Sequence, residues 1–94
     1  MDKVVFNGKT YTGYTIPTTN ASMLVISAKS GMLACGYVKT ETADKLGDVL
    51  AIVTGVNSYA DMAAKPVVAV SKAAGARGVK TGMTGADALA LMDK

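Results

Sequence analysis

The dipeptide Asn7-Gly8 separates two runs of β-branched and aromatic residues, and this arrangement narrows the possible folds more than any other feature. The runs are residues 4–6 and 11–16. Such residues favour extended strands, and Asn-Gly readily adopts the positive φ angles of a type I′ turn. The sequence therefore predicts an N-terminal β-hairpin.

Further apolar runs with polar breaks between them predict more strands. They cover residues 23–27, 32–38, 49–56 and 67–70. Runs that are apolar on both faces are typical of strands buried on both sides of a sheet. Four strands therefore fall within the first forty residues.

Capping residues predict helices in the second half of the chain. Predicted helices cover residues 41–46 after Thr40, the segment from Ser58 to Ala64 or Lys65 before Pro66, residues 71–77, and a terminal segment after Thr84. Ser and Thr side chains accept hydrogen bonds from the first helical N–H groups, and proline ends a preceding helix. The predicted fold is one α+β domain over residues 1–94. Its antiparallel or mixed sheet has five or six strands and is covered by three or four short helices.

The composition is more apolar than a monomer of this size needs. Half of the 94 residues are hydrophobic and 18% are charged. A chain this short cannot bury all of that surface, so we expect a homo-oligomer, with a dimer favoured. No apolar run is long enough to span a membrane and the start does not resemble a signal peptide, which predicts a cytoplasmic protein without a membrane partner.

The formal net charge is +3, and all of it lies in residues 65–94. This surplus suggests a weak attraction for small anions, although solvated surface residues would explain it equally well. Nucleic acid is an unlikely partner, because there is one arginine and aromatic residues make up 5% of the chain.

The chain has a single cysteine, Cys35, and no histidine. A thiol nucleophile usually depends on a neighbouring imidazole or another positive charge, and histidine is the commonest transition-metal ligand. Cys35 is therefore expected to be a small buried side chain in an apolar strand. A catalytic thiol assisted by Lys72 or Lys80 is the alternative. No metal site or cofactor is predicted.

The glycine-rich tail is the better candidate site. Gly82, Thr84 and Gly85 precede the predicted terminal helix, and Lys80 with Arg77 adds positive charge. Backbone N–H groups at a helix start bind anions, which predicts a phosphate or carboxylate site at Lys80, Gly82, Thr84 and Gly85. Glycines that serve only for turns, with Thr84 only as a cap, are the alternative.

Three segments, residues 31–36, 51–56 and 78–85, followed by Ala88-Leu89, resemble the YunC-like family of small bacterial and archaeal proteins. The resemblance implies a compact α+β fold in the cytoplasm. It implies no activity, cofactor or catalytic residue, because the role of that family is unassigned. The leading hypothesis is a non-enzymatic oligomeric module that binds a small anion or a protein partner. A thiol enzyme using Cys35 and a structural subunit of a larger assembly are the alternatives.

Overall fold

A mixed sheet of six strands, ordered as in the sequence, forms the centre of the protein. The computed structural model describes residues 2–93. The strands are β1 (Asp2–Phe6), β2 (Lys9–Pro17), β3 (Ser22–Ser27), β4 (Met32–Ala34), β5 (Leu50–Ile52) and β6 (Ala69–Val70). The helices are α1 (Thr40–Leu46), α2 (Tyr59–Ala64), α3 (Lys72–Ala76) and α4 (Gly85–Met92). The predicted α+β class is confirmed, as are the mixed sheet and the small number of short helices.

One pair of neighbouring strands is parallel. β4 and β5 run in the same direction, and every other neighbouring pair is antiparallel. Parallel neighbours need a crossover connection, and α1 provides it between these two strands. The carboxyl ends of β4 and β5 therefore lie side by side.

The N-terminal hairpin forms as predicted. Asn7 and Gly8 have φ angles of 53° and 78°, which are the positive values that a type I′ turn requires. Val4 is paired with Tyr11 across the two strands, and both side chains are buried. The local sequence is sufficient to specify this turn and its register.

The helices cover the two faces of the sheet unequally. On one face, Met62 of α2, Ala74 of α3 and Leu89 of α4 join the larger core. On the other face, Ala43 of α1 packs with Leu50 and other residues near β4 and β5. Because α1 is short, the part of this second face that β1 and β2 form is left uncovered.

This uncovered sheet face carries large apolar side chains. Val5, Tyr14 and Ile16 are 62%, 39% and 56% exposed. The register places Tyr14 opposite Val25, which contacts the smaller core. The three side chains therefore continue the apolar surface that α1 covers farther along the sheet. Among residues 2–93, no helix is long and apolar enough to cross a membrane.

Three strands are shorter than predicted. The predictions at 32–38, 49–56 and 67–70 become β4, β5 and β6. After β4, the Val38 N–H donates to the Cys35 carbonyl oxygen and closes a turn. After β5, Gly55 has a φ of +68°, which an extended strand does not have. Before β6, the Val67 N–H donates to the Met83 carbonyl oxygen. A local turn, a glycine of positive φ and a hydrogen bond to the tail therefore limit these three strands.

Most of the predicted caps form. Ser58, Ser71 and Thr84 each accept a hydrogen bond from a backbone N–H in the first turn of the following helix. The prediction that Thr40 caps α1 was wrong. Thr40 is the first helical residue, and Lys39 occupies the capping position without a side-chain hydrogen bond. The start of α1 is thus held by packing of Ala43 rather than by a cap.

Candidate functional site

A surface cavity of about 390 Å³ lies at the carboxyl ends of β4 and β5. Three segments line it, residues 21–22, 35–37 and 54–57. The first segment precedes and begins β3, the second follows β4, and the third follows Val53 just beyond β5. We call this opening the β4–β5 cavity.

The path of the chain explains why a cavity forms here. After β4 the chain passes to α1, which packs on one face of the sheet. After β5 it passes to α2, which packs on the opposite face. The two connecting segments therefore diverge and leave a crevice between them. Crevices of this kind at strand ends are the common ligand sites of open α/β sheets.

Cys35 is the buried residue of the cavity lining. It is 5% exposed, which confirms the expected burial. It lies one residue beyond the end of β4, however, and not in the middle of a strand. Its Sγ accepts a hydrogen bond from the Leu24 N–H at 3.3 Å, and its own N–H donates to the Leu24 carbonyl oxygen at 3.0 Å. These two bonds hold the thiol at the junction of β3 and β4.

The other polar side chains of the lining are uncharged. Ser22, Thr54 and Tyr37 contribute hydroxyl groups, and Asn57 contributes an amide. The Tyr37 hydroxyl lies 3.1 Å from the Thr18 Oγ1, within hydrogen-bonding distance. The surface that a ligand meets is therefore uncharged, and these polar groups are set in a lining that is apolar for the larger part.

The backbone of the two connecting segments keeps unused hydrogen-bond donors. Within residues 2–93, no acceptor pairs with the N–H groups of five lining residues: Gly36, Tyr37, Thr54, Gly55 and Val56. The neighbouring N–H groups of Cys35, Val38 and Val53 donate to carbonyl oxygens. The Asn57 N–H donates to the Asp61 carboxylate at 3.1 Å and ties its segment to α2. Unpaired donors are thus present along both connecting segments of the cavity.

At the predicted tail site the two glycine N–H groups are paired, whereas the Thr84 N–H has no acceptor within residues 2–93. The Gly82 N–H donates to the Val67 carbonyl oxygen at 2.8 Å, and the Gly85 N–H donates to the Lys65 carbonyl oxygen at 3.0 Å. The Thr84 hydroxyl accepts from the N–H of the third residue of α4. The two glycine donors that the sequence assigned to an anion are therefore paired inside the protein.

The structure also separates the tail cations from one another. The Arg77 guanidinium donates to the Ser30 hydroxyl at 2.8 Å, and Ser30 donates to the Met92 carbonyl oxygen at 2.6 Å. Arg77 is therefore held near the carboxyl end of α4, whereas Thr84 and Gly85 form its amino end. Lys80 is exposed. The predicted anion site at Lys80, Gly82, Thr84 and Gly85 stays a prediction, without Arg77 as a contributor.

Neither lysine proposed as a partner for the thiol lines the cavity with Cys35. Lys72 begins α3, and its N–H donates to the Asp44 carboxylate at 2.8 Å. Sequence reasoning noticed residues 51–56 but missed Thr54, Gly55 and Asn57 as site residues. The signal in the sequence was Gly55, a glycine directly after an apolar strand. It could not be interpreted without knowing that β4 and β5 are parallel neighbours.

Comparison with protein families gives a match to the Domain of unknown function (DUF1805) over residues 34–92. This match covers more than half of the chain. The chain belongs to the DUF1805 family. The YunC-like resemblance is thereby confirmed, and two of the three cavity segments lie within the part that matches DUF1805.

The DUF1805 fold is also present in a solved structure. A protein of unknown function, TA1206 from Thermoplasma acidophilum, is 31% identical, with a TM-score of 0.90. The alignment covers 97% of this chain and 89% of the Thermoplasma protein. No curated protein matches the chain. The comparisons therefore establish the family and the fold, and they assign no activity.

Proposed function

We propose that this DUF1805 protein is a binding module for a small molecule that occupies the β4–β5 cavity. The observation that carries the proposal is the cavity itself, about 390 Å³ at the point where the chain diverges from two parallel strands. Ligand sites commonly have volumes of roughly 300–1,000 Å³. Hydroxyl groups and unpaired N–H groups give such a ligand polar contacts, while Val56 and Cys35 give apolar ones.

Binding is favoured over catalysis by the chemistry of the lining. Cys35 is the strong nucleophile there, and general-base catalysis needs a group that can take its proton. The three lining segments contain no Asp, Glu, His or Lys to act as that base. The thiol-enzyme alternative predicts rapid stoichiometric labelling of Cys35 by a thiol reagent in the native protein at neutral pH. The binding proposal predicts slow labelling that becomes fast on denaturation.

The experiment for the proposal is a titration of ¹⁵N-labelled protein with a panel of acetate, acetamide, inorganic phosphate and ethanol, followed by amide chemical shifts. At least one probe should move the amides of residues 35–37 and 54–57 saturably. Ala21→Trp should abolish these shifts by filling the cavity, because Ala21 lines it and is exposed. Ala76→Trp, at an exposed position of α3 outside the cavity, should leave them unchanged. Shifts that survive Ala21→Trp would refute the proposal.

We further propose that two copies of the protein associate through the uncovered sheet face defined by Val5, Tyr14 and Ile16. The apolar excess of the sequence and the exposure of these three side chains support it. Two sheets pack face to face at a spacing of about 10 Å, so a second copy fits such a flat surface. Sedimentation at roughly 10–100 µM protein should detect a dimer. Ile16→Lys should weaken the dimer, whereas Val68→Lys, at another exposed apolar position, should not.

A further inference from the structure

We infer that the ligand of the β4–β5 cavity carries a carboxylate or phosphate group, and that backbone N–H groups of residues 36–37 and 54–56 bind it. This inference rests on the proposed function and adds the chemical class of the ligand. It places the predicted small anion in this cavity rather than at the tail.

The cavity offers a ligand several backbone hydrogen-bond donors. Five N–H groups of cavity-lining residues have no acceptor within residues 2–93. Each is free to donate to a ligand oxygen without breaking a bond of the protein. Hydrogen bonds to an ionised oxygen are shorter and stronger than bonds between neutral groups, and clusters of successive backbone N–H groups are known anion-binding elements. An anion therefore gains more from these donors than a neutral ligand does.

The side chains that line the cavity are uncharged. The residues that line the cavity include no aspartate or glutamate that would repel an anion. The net charge of +3 lies in residues 65–94, none of which lines the cavity, and the nearest charge shown is the Asp61 carboxylate that accepts the Asn57 N–H. The Ser22 and Thr54 hydroxyl groups can donate additional bonds. The preference for an anion therefore comes from the hydrogen-bond donors and not from a surplus of positive charge at the cavity.

The lining is correspondingly poor for a cation. A cation needs carboxylate, imidazole or thiolate ligands, or several carbonyl oxygens. Cys35 is the one residue of these side-chain types in the lining, and its sulfur already accepts the Leu24 N–H. One sulfur with neutral oxygen ligands is a weak set of acceptors. The carbonyl oxygens of residues 36–37 and 54–56 are also unpaired within residues 2–93, so what disfavours a cation is the lack of an anionic side chain in the lining.

Gly36 offers a way to remove one donor selectively. It is the second residue of the turn that the Val38 N–H closes on Cys35, a position where proline is favoured. Its φ is not in the left-handed range, and an added Cβ would lie 3.4 Å from the nearest atom, the Thr54 Cγ2. Gly36→Pro therefore removes the N–H at a turn position that has room for a Cβ. Gly36→Ala adds a Cβ and keeps the N–H, so it is the matched control.

The test compares acetate with acetamide, which has nearly the same shape and no charge, and includes inorganic phosphate as a second anion. Acetate or phosphate should move the amides of Gly36, Tyr37, Thr54, Gly55 and Val56, with at least about ten-fold higher affinity than acetamide. Gly36→Pro should weaken anion binding about ten-fold, and Gly36→Ala by less than about two-fold.

Acetamide binding as tightly as acetate at these amides would refute the anionic class and leave the proposed function standing. Anion shifts confined to Gly82, Thr84 and Gly85 would refute the assignment to this cavity. If no probe moves any of these amides, both proposals fail. The comparison of acetate with acetamide uses the native chain, so it decides the question even if Gly36→Pro does not fold.

Discussion

Two glycine-containing regions of this protein use their backbone N–H groups in opposite ways. In the tail, the N–H groups of Gly82 and Gly85 donate to carbonyl oxygens of residues 67 and 65. At the β4–β5 cavity, the N–H groups of Gly36 and Gly55 have no acceptor within residues 2–93. The tail glycines serve packing and turns, whereas the cavity glycines leave donors at the surface. A glycine pattern beside a cation therefore does not by itself locate an anion site.

The difference comes from the neighbours of each region. Gly85 packs so closely against α2 that an added methyl group would overlap the Met62 carbonyl oxygen and lie 2.8 Å from the Leu33 side chain. The residues around Gly36 and Gly55 lie where two segments diverge, so no strand or helix is close enough to accept their bonds. Where segments pack closely, as in the tail, glycine N–H groups find carbonyl acceptors. Where two segments diverge, as at the cavity, the N–H groups stay unpaired.

The largest expected effect is a difference in protein stability between alanine substitutions in the tail and at the cavity. Gly85→Ala should lower the free energy of unfolding by about 1–3 kcal/mol, because the added methyl group must displace backbone atoms of α2. Gly36→Ala should change it by less than about 0.5 kcal/mol, because the new Cβ has room. Urea denaturation followed by circular dichroism measures both. Equal losses in the two variants would contradict the packing account.

A second pair of variants introduces similar backbone strain in both regions, but only one of the two lies at the cavity. Gly55 and Gly82 have φ angles of +68° and +93°, and an added Cβ meets nothing within 4 Å at either position. Gly55→Ala and Gly82→Ala should each cost about 1–2 kcal/mol, because an L-residue is strained in this region. Only Gly55→Ala should also weaken acetate binding, because relief of the strain at its positive φ turns the N–H groups of residues 54–56, a change that Gly36→Ala does not require. A loss of acetate affinity in Gly82→Ala alone would restore the tail as the site.

The smallest effect concerns a third region, where Tyr59 joins the hairpin to α2. Its hydroxyl donates to the Asp2 carboxylate at 2.7 Å and lies 2.7 Å from the Thr15 Oγ1. Burial raises the pKa of Tyr59 and the Asp2 carboxylate raises it further, although the hydrogen bond with Thr15 opposes the rise. The folded state then holds this proton more tightly than the unfolded state does.

The resulting contribution of Tyr59 to stability is fully present below pH of about 10, the ordinary tyrosine value, and is lost as pH rises through the pKa of the folded state. Tyr59→Phe should therefore make the decline of stability above pH of about 10 shallower. Acetate binding at neutral pH should be unchanged, because Tyr59 does not line the cavity. Thermal unfolding at several pH values measures the slope. An unchanged slope in Tyr59→Phe would contradict this assignment.

Local signals accounted for much of the fold. Asn7-Gly8 specified its turn, and Ser58 and Thr84 capped the helices that follow them, because each of these interactions joins residues at most three positions apart. The strand ends were not predictable in this way. Whether the chain turns at Cys35 or continues as a strand depends on its hydrogen bonds with Leu24, eleven residues earlier.

The site was harder to predict than the fold. The cavity requires β4 and β5 to be parallel neighbours and requires α1 and α2 to pack on opposite faces. No local pattern in the sequence predicts that these two strands are parallel neighbours or that the two helices pack on opposite faces. The tail looked like a site because Gly82 and Gly85 suggested free N–H groups, and their acceptors near Pro66 became visible only in the folded chain.

Native-state hydrogen exchange followed residue by residue by NMR tests the central claim most directly, because it measures whether each N–H group is paired. The account predicts that the amides of Gly36, Thr54 and Gly55 exchange close to the rate of an unstructured peptide. It predicts that those of Gly82 and Gly85 exchange at least about 100-fold more slowly. Equal protection in the two regions, or protection of the cavity amides with rapid exchange in the tail, would contradict it.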